Sequence, residues 1–300
     1  MYVVMGATGH TGSVVAEKLL AAGKKVRVIG RDASRLGKFT QRGAEAVVAD
    51  VTNSAAMNKA FVGAEAVYAL IPPNSTSPEV LTSAARVSDA IASALKSNGV
   101  PYAVLLSSIG ADKADKTGPV VGLHHLEEKL QAIPSLNALF LRPGYFMENL
   151  LPQVGVIKSF GNMAGPVKAD LPLPMIATRD IAAVAADALL ASNFQGKHTR
   201  ELLGPREVTY NEAAKVIGAA IDKPDLRYLQ LPNMQLKPIL VQMGMSPNMA
   251  DLLLEMTDAL NSGHMKALEP RSPQNTTPTA IETFAAEVFV PAYRGAATHA

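Results

Sequence analysis

The sequence predicts an α/β fold, in which a doubly wound parallel sheet is followed by a smaller and mostly helical C-terminal region. Three observations support this prediction. Apolar runs alternate with amphipathic helical patterns over the first half of the 300 residues, a glycine-rich loop follows the first apolar run, and the alternation ends after Gly144. Strands and helices in this order give parallel strands joined by right-handed crossovers.

Six apolar runs in the first half predict strands, at residues 2–5, 25–29, 46–48, 66–71, 102–107 and 138–142. Helical patterns lie between them, at residues 13–22, 54–62, 79–98 and 121–132. The predicted strands are continuously apolar rather than alternating, which is typical of a sheet whose two faces are both covered by helices.

The second half is less regular. Residues 151–175 are rich in glycine, proline and apolar side chains and have weak periodicity, whereas residues 179–191 predict a helix and residues 200–203 a last strand. Another helix is predicted at 207–221 with Thr209 as its N-cap, a helical and methionine-rich stretch at 233–261, and a short helix at about 278–286.

Composition excludes several classes of function. With 48% apolar and 18% charged residues and a net charge of +2, the chain has no global field to attract nucleic acid or an anionic membrane. The absence of cysteine excludes disulfides, thiolate metal sites and cysteine nucleophiles. We also expect no metal site, because no pair of histidines has a helical ligand spacing near a carboxylate cluster.

No uncharged apolar run reaches the roughly 18 residues of a membrane span. The chain enters the glycine-rich loop after five residues, which leaves no room for a signal peptide. We therefore expect a cytoplasmic protein that has neither a membrane nor a nucleic acid as partner.

The glycine-rich loop, GATGHTG, lies where a dinucleotide-binding loop belongs, between a strand and a helix. Gly6 permits the tight turn, Gly9 lets the backbone approach a pyrophosphate, and Gly12 lets the helix pack closely on the strand. The helix N-terminus offers free N–H groups and the positive end of its dipole. The pattern predicts a Rossmann-type site whose pyrophosphate contacts are Gly6, Ala7, Thr8, Gly9, His10, Thr11 and Gly12.

The end of the second strand indicates which dinucleotide binds. An acidic residue there would bind the ribose 2′-hydroxyl of NAD, but this sequence has Arg31, whose guanidinium suits the 2′-phosphate of NADP. Arg35, one helical turn further on, could close the clamp. We therefore predict NADP as cofactor, with NADPH preferred over NADH. The alternatives are that both arginines are merely solvated, and that the neighbouring Asp32 either caps a helix or faces the ribose.

Residues at the carboxyl ends of the other strands complete the predicted site, because ligands bind at that edge of doubly wound sheets. Asp50 and Val51 are placed to meet the adenine, although Asp50 could equally cap a helix. One of Ser107 and Ser108 could bond the substrate or the nicotinamide carboxamide, or the pair could simply cap the strand end. The other predicted cofactor contacts along this edge are Ile71, Pro72, Pro143, Tyr145 and Phe146.

Aromatic and polar residues follow the sixth predicted strand. Tyr145 and Phe146 could wall the nicotinamide pocket, or they could pack in the core. Glu148 and Asn149 are polar residues in an otherwise apolar stretch, and helix capping is the alternative to a role in the site.

Together with the loop and Arg31, several segments resemble the NmrA-like branch of the atypical short-chain dehydrogenases over roughly residues 1–290. They are LLSSIGA at 105–111, HHLEEKL at 124–130, LRPGYFMENL at 141–150, ATRDIAAVAADALL at 177–190 and ELLGPREVTYNEAA at 201–214. The resemblance implies NADP binding in a Rossmann domain below a smaller C-terminal region that covers the substrate cleft. Members include quinone and azo-dye reductases, isoflavone-type reductases and inactive cofactor-sensing regulators, so membership alone does not establish catalysis.

The resemblance and the element pattern together predict the domain division. We expect residues 1–150 to form the NADP-binding Rossmann domain, to which the chain returns at about 176–204. Residues 151–175 and 205–290 form the smaller, mostly helical C-terminal substrate region, here called the covering region. Residues 291–300 are expected to be a tail.

The proton-transfer pair of the short-chain dehydrogenases, Tyr-x-x-x-Lys, is absent, because none of the seven tyrosines has a lysine four residues later. The resemblance places His124 where the lysine would be, with Glu127 three residues later. A formal alternative register pairs His125 with Lys129. We predict that His124 contacts the nicotinamide ribose or the substrate, since histidine titrates near neutral pH, although it could instead be a surface residue near a helix start.

The other two candidate catalytic residues are Ser108 and Tyr145. With few groups for proton transfer, a reductase would need an acceptor whose reduced oxyanion is stable, as a quinone provides. The methionines at 234, 243, 245, 249, 256 and 265 suit an apolar planar ligand, although core filling explains any one of them as well.

Two functions follow from these residues. The first is an NADPH-dependent oxidoreductase that passes hydride to a quinone-like or other small apolar acceptor. The alternative is a non-catalytic NADP(H)-sensing regulatory protein, which the missing acid–base pair favours. A sugar-nucleotide epimerase fits less well, because it too would need Tyr-x-x-x-Lys. A homodimer is one option for the assembly.

Overall fold

The computed structural model describes residues 1–295. Its strands are β1 (Tyr2–Val4), β2 (Val26–Gly30), β3 (Glu45–Val48), β4 (Ala66–Ala69), β5 (Tyr102–Leu106), β6 (Asn137–Pro143), β7 (Met163–Gly165), β8 (Lys197–Leu202) and β9 (Tyr228–Gln230). Seven of them form one parallel sheet in the order β3-β2-β1-β4-β5-β6-β8. The strand order reverses between β1 and β4, which is the switch point where such sheets bind ligands.

The helices either cover the two faces of this sheet or lie in the covering region. They are α1 (His10–Ala21), α2 (Ala33–Thr40), α3 (Ser54–Ala60), α4 (Val80–Ser97), α5 (Val121–Gln131), α6 (Gln153–Phe160), α7 (Thr178–Ala191), α8 (Tyr210–Ala220), α9 (Asn233–Gln242), α10 (Pro247–Ser262), α11 (Ile281–Phe284) and α12 (Val290–Arg294). The predicted α/β fold with a doubly wound parallel sheet is confirmed.

Two apolar cores lie behind these elements. The first joins the seven-stranded sheet to its flanking helices, and its largest fully buried side chains include Tyr68, Phe39 and Phe140. The second lies in the covering region, where residues such as Tyr210 and Phe284 pack together. The domain boundaries themselves stay a prediction.

The C-terminal half differs most from the predicted elements. The stretch 151–175 contains α6 and β7, and β7 pairs with β9 in a separate two-stranded parallel sheet that the sequence pattern does not indicate. Three-residue strands are too short to produce a detectable period of two. The predicted helical stretch 233–261 is two helices, because Gly244 adopts a φ of +95° and Ser246 caps α10 by accepting from the Met249 N–H.

Helix and strand ends shift by a few residues elsewhere. Helix α1 begins at His10, three residues before the predicted start, and β8 begins at Lys197 rather than at residue 200. The predicted cap of α8 is confirmed, because the Thr209 hydroxyl accepts from the Glu212 N–H at 3.1 Å.

Candidate functional site

The glycine-rich loop has the geometry that its sequence predicts. Gly6 adopts a φ of +61°, and a Cβ on Gly12 would lie 2.3 Å from the Gly6 carbonyl oxygen, so only glycine lets α1 approach the strand this closely. Gly9 is different, because an added Cβ there would meet only the Gly6 oxygen, at 3.4 Å. The space in front of Gly9 is therefore open, as binding of a pyrophosphate requires.

The N-terminus of α1 opens into that space. Gly9 is the N-cap of this helix and supplies no side-chain acceptor. The N–H groups of His10, Thr11 and Gly12 lie in the first turn, where no carbonyl of the same helix can accept from them. Gly9 and His10 are exposed, whereas the side chains of Ala7 and Thr11 are buried. Of these predicted contacts, Ala7 and Thr11 can therefore contribute only backbone groups. Free N–H groups at a helix start make an anion site.

Two arginines flank the loop. Arg31 is exposed directly after β2, and Arg35 donates from Nη2 to the Thr8 carbonyl oxygen at 3.0 Å. Asp32 is the N-cap of α2 and accepts from the Ser34 N–H at 2.8 Å. The hydrogen bonds from Ser34 hold the pKa of the Asp32 carboxyl below its usual range. Asp32 thus takes the capping role, while Arg35 lies against the glycine-rich loop.

Asp50 lies near Arg31 but does not cap a helix. Its carboxylate accepts from the Thr52 N–H at 2.9 Å and from the Thr52 hydroxyl at 2.8 Å, while Asn53 is the N-cap of α3. The hydrogen bonds from Thr52, and the charge of Arg31 to a smaller degree, lower the pKa of Asp50. The capping alternative for Asp50 is therefore wrong, and it stays beside the half-buried Val51 at the predicted adenine edge.

A buried ion pair joins α5 to β6 near the carboxyl ends of the central strands. Glu127 on α5 is 2% exposed and accepts from Arg142 through Nε at 3.0 Å and through Nη2. Ser107 donates to the same carboxylate at 2.5 Å. The hydroxyl of Ser107 is therefore turned into the protein, and its expected bond to substrate or carboxamide is not available. Half-buried Ser108 is the serine whose side chain can still face the cleft.

Arg142 is the residue of this network that sequence reasoning missed. It lies on β6 inside the matched LRPGYFMENL segment, and its buried partner is fifteen positions away on another element. Burial opposes its charge, but the hydrogen bonds and charge of Glu127 outweigh burial and raise the pKa of Arg142. A charged residue within an apolar strand was the available signal.

His124 lies on α5 at the same edge. Its Nδ1 is 2.8 Å from the Ala111 carbonyl oxygen, and its Nε2 is 3.5 Å from Glu128 Oε1. An Nδ1–H that donates to a carbonyl leaves Nε2 as the nitrogen that can act on a ligand. One turn earlier, in the place of the missing tyrosine, lies the buried apolar Val120. Exposed His125 contacts the other Glu128 oxygen at 3.2 Å.

Tyr145 is engaged within the covering region. Its hydroxyl is 2.7 Å from that of Tyr210, and it also bonds Asn149. Burial raises the pKa of Tyr145 and of Tyr210, so both keep their protons at neutral pH. Tyr145 is half-buried against the second core, and its roles as a pocket wall and in catalysis stay predictions. Half-buried Phe146 packs against the first core.

Glu148 has the capping role that was weighed for it. Its carboxylate accepts from the Thr178 N–H at 3.0 Å and from the Thr178 hydroxyl at 2.6 Å, at the start of α7. Nearby, the carbonyl of buried Pro143 accepts from the Ile109 N–H, so Pro143 can offer only its ring edge to a cofactor.

An apolar cavity of about 160 Å³ lies between the loop after β4 and the starts of α4, α5 and α10. Its lining includes Ile71, Pro72, Val120, Leu123 and Met249. Two of these residues, Ile71 and Pro72, are predicted cofactor contacts, and Leu123 directly precedes His124.

Two hydrogen bonds hold the start of α10 over this cavity. The Ser246 N–H donates to the Ser75 carbonyl at 2.8 Å, and the Val80 N–H donates to Asn248 Oδ1 at 2.9 Å. A larger open groove of about 520 Å³ between α9 and α10 contains no predicted site residue.

The methionines divide between the two interpretations. Met249 lines the cavity, Met265 is buried beside Gly110, and Met234 and Met243 are 89% and 70% exposed. Core filling therefore explains Met265, and a ligand-lining position is available to Met249.

A model of the NmrA-like family matches residues 2–285. The chain belongs to the NmrA-like family. This NmrA-like chain is 29% identical over 259 residues to the NAD(P)H azoreductase of Xenophilus azovorans, an alignment that covers 85% of this chain and 86% of that protein. It is 30% identical over 234 residues to the (4-alkanoyl-5-oxo-2,5-dihydrofuran-3-yl)methyl phosphate reductase of Streptomyces griseus, with 77% of each covered.

Solved structures of similar fold include the NADPH-dependent quinone oxidoreductase of Escherichia coli complexed with NADPH. The TM-score is 0.80 at 23% identity, covering 96% of this NmrA-like chain and 100% of that one. The Citrobacter triphenylmethane reductase complexed with NADP(H) gives a TM-score of 0.76 at 18% identity, covering 99% and 100%. At these identities the likeness shows the fold. Across residues 1–295, no helix has the length and apolar character needed to cross a bilayer.

Proposed function

We propose that this NmrA-like protein is an NADPH-dependent oxidoreductase that transfers hydride to a quinone-like or other small apolar acceptor. The observation that carries the proposal is the open N-terminus of α1 with Arg31 and Arg35 beside it. The apolar cavity lined by Leu123, the residue before His124, supports the second half of the proposal. Relatives with names such as NAD(P)H azoreductase support reductase chemistry in general.

The residues at the loop fit a dinucleotide phosphate. A Cβ at Gly9 would occupy the space that the loop leaves open, and the N–H groups of His10, Thr11 and Gly12 face an anion there. Arg31 and Arg35 would hold the 2′-phosphate through charge-assisted hydrogen bonds. The nicotinamide, when bound, supplies the hydride. What the protein adds is binding, orientation and exclusion of water.

The cavity fits one apolar ring. An apolar cavity of about 150 Å³ is large enough to hold benzene, so this cavity can receive a six-membered quinone ring. Val120, Leu123 and Met249 exclude water there. In its neutral form His124 accepts at Nε2, for example from a ribose hydroxyl, and as an imidazolium it can give a proton to the reduced acceptor.

The alternative is a non-catalytic NADP(H) sensor, and one observation favours it. Val120 stands one turn before His124, where a short-chain dehydrogenase has its proton-donating tyrosine, and the Tyr145 hydroxyl is engaged with Tyr210. A sensor would bind NADPH tightly and turn over no acceptor.

We expect NADPH to bind at least about tenfold more tightly than NADH, or about 1.4 kcal/mol, because only NADPH offers a phosphate to Arg31. Arg31→Ala should remove most of this preference, measured by calorimetry with both cofactors. Arg42→Ala is the control, since Arg42 is an exposed arginine beyond the C-terminus of α2. Equal affinities of the wild-type protein for the two cofactors would show that Arg31 is only a solvated residue.

We expect the purified protein to oxidise NADPH with a small quinone, and His124→Ala to slow this reaction. A positioned proton donor contributes about 10²–10⁴-fold, and a quinone needs less help, so the expected loss is at or below about 100-fold. The measurement is the fall in NADPH absorbance against quinones, azo dyes and enones.

His198→Ala is the matched control for this variant, because His198 is exposed and bonds only the local Gln195 carbonyl. Tight NADPH binding without turnover of any acceptor would favour the sensor. Full activity of His124→Ala would keep the reductase but remove His124 from the chemistry, leaving Ser108 and Tyr145 to be tested.

A further inference from the structure

Three side chains of α5 bring their nitrogen and oxygen atoms together, two from adjacent residues and one from the following turn. His124, His125 and Glu128 each offer one nitrogen or oxygen, and these atoms lie within 4.8 Å of one another. We propose that they form a binding site for a divalent transition-metal ion, with zinc as the best match. The sequence predicts no metal site, because no pair of histidines has a helical ligand spacing near a carboxylate cluster. This cluster instead combines adjacent histidines with a carboxylate one turn away.

The distances suit a tetrahedral ion. With zinc–ligand bonds of about 2.0–2.2 Å, neighbouring ligand atoms of a tetrahedral site lie about 3.3 Å apart. Nε2 of His124 is 3.5 Å from Oε1 of Glu128, and Nδ1 of His125 is 3.2 Å from Oε2. Little movement of these side chains is therefore needed to place an ion between them.

The orientation of His124 is fixed from behind. Its Nδ1–H donates to the Ala111 carbonyl at 2.8 Å, which leaves the Nε2 lone pair directed at the Glu128 carboxylate. A histidine that binds a metal usually has this second hydrogen bond to a carbonyl or carboxylate. In the neutral histidine two electron-rich atoms face one another across this gap, and a cation between them removes the repulsion.

The local charge also suits a cation. Lys129 is adjacent in sequence, but its ammonium pairs with Asp89 at 2.7 Å on α4 and so points away from the ligand set. The three ligands carry one negative charge when the histidines are neutral. Two imidazoles and one carboxylate with a fourth position open to solvent is a set that zinc accepts.

Metal binding would reach the proposed reductase site through His124. An ion that holds Nε2 withdraws it from the cofactor or acceptor, so we infer that zinc is a reversible inhibitor of NADPH oxidation. This inhibition rests on the proposed function, whereas the metal site itself does not.

The binding test uses the full chain without NADPH. Calorimetry with Zn²⁺ should show one site in the wild type, and His125→Ala and Glu128→Gln should each weaken it at least about tenfold, since changes around a metal's ligands typically cost 10–100-fold. His198→Ala, which removes an exposed histidine far along the chain, should leave the affinity unchanged. Both ligand side chains are at least half exposed, so these variants should keep their fold.

A second readout reports the coordination itself. Co²⁺ in place of Zn²⁺ should give the visible absorption of a four-coordinate ion in the wild type and lose it in Glu128→Gln. Equal Zn²⁺ affinity in the wild type and in both ligand variants would overturn the site. If Zn²⁺ binds as expected but NADPH is not oxidised with any acceptor, the proposed reductase function fails and the metal site stands.

Discussion

A Gly9→Val variant is expected to lose binding of both NADPH and NADH while keeping its fold. In the structure a Cβ at Gly9 meets only the Gly6 carbonyl oxygen, at 3.4 Å, so a side chain can be placed without moving the backbone. That side chain would fill the space where the pyrophosphate approaches the N–H groups of α1. Since these contacts serve both dinucleotides, we expect affinity to fall below detection in calorimetry, with circular dichroism unchanged.

Gly155→Val is the control for this variant. Gly155 is an exposed glycine of α6 with nothing within 4 Å of an added Cβ, so the substitution makes the same change in side chain away from the loop. It should leave cofactor affinity unaltered. Undiminished binding by Gly9→Val would show that the loop is a turn and that the dinucleotide lies elsewhere.

Breaking the buried ion pair should have the largest effect on stability. Glu127→Gln keeps the shape of the side chain but leaves the guanidinium of Arg142, whose side chain is 13% exposed, without its counter-charge. Removing one partner of a buried pair costs about 3–5 kcal/mol, because the remaining charge stays desolvated. The substitution also weakens the hydrogen bond that Ser107 donates to Glu127, because a neutral amide oxygen accepts less strongly than a carboxylate.

Urea unfolding would measure the change as a lower midpoint at constant slope. Glu128→Gln is the matched control on the next residue of α5, where the side chain is 61% exposed, and it should shift stability by no more than about 0.5 kcal/mol. A shift of under about 1 kcal/mol for Glu127→Gln would mean that water or a neighbouring carboxylate already compensates Arg142.

The sequence predicts those features that rest on local geometry. The continuous apolar runs at β1 and β4 are buried throughout, and β5 is buried except at its two end residues. The glycine loop is recognisable because Gly6 and Gly12 satisfy steric demands set by the adjacent strand. The position of Arg31 is also predictable, because the apolar run of β2 ends directly before it.

The features that sequence analysis misses depend on residues far apart in the chain. Tyr145 finds its hydroxyl partner 65 residues away in Tyr210, and Met249 from α10 lines the same cavity as Ile71 and Leu123. The hydrophobic periodicity of a single segment carries no information about such long-range contacts. The grouping of His124, His125 and Glu128 is local, but its two histidines are adjacent in sequence, which is not the spacing that the sequence prediction considered.

The pairing of β6 with β8 has a consequence during synthesis. The outer edge of β6 is covered only when Lys197 to Leu202 align beside it, and 53 residues lie between the end of β6 at Pro143 and the start of β8 at Lys197. At about 5–20 residues per second, a nascent chain leaves the backbone N–H and C=O groups of that edge unpaired for roughly 3–11 seconds. Unpaired strand edges recruit other chains. Until β8 has emerged, that edge is therefore open to pairing with a strand of another chain.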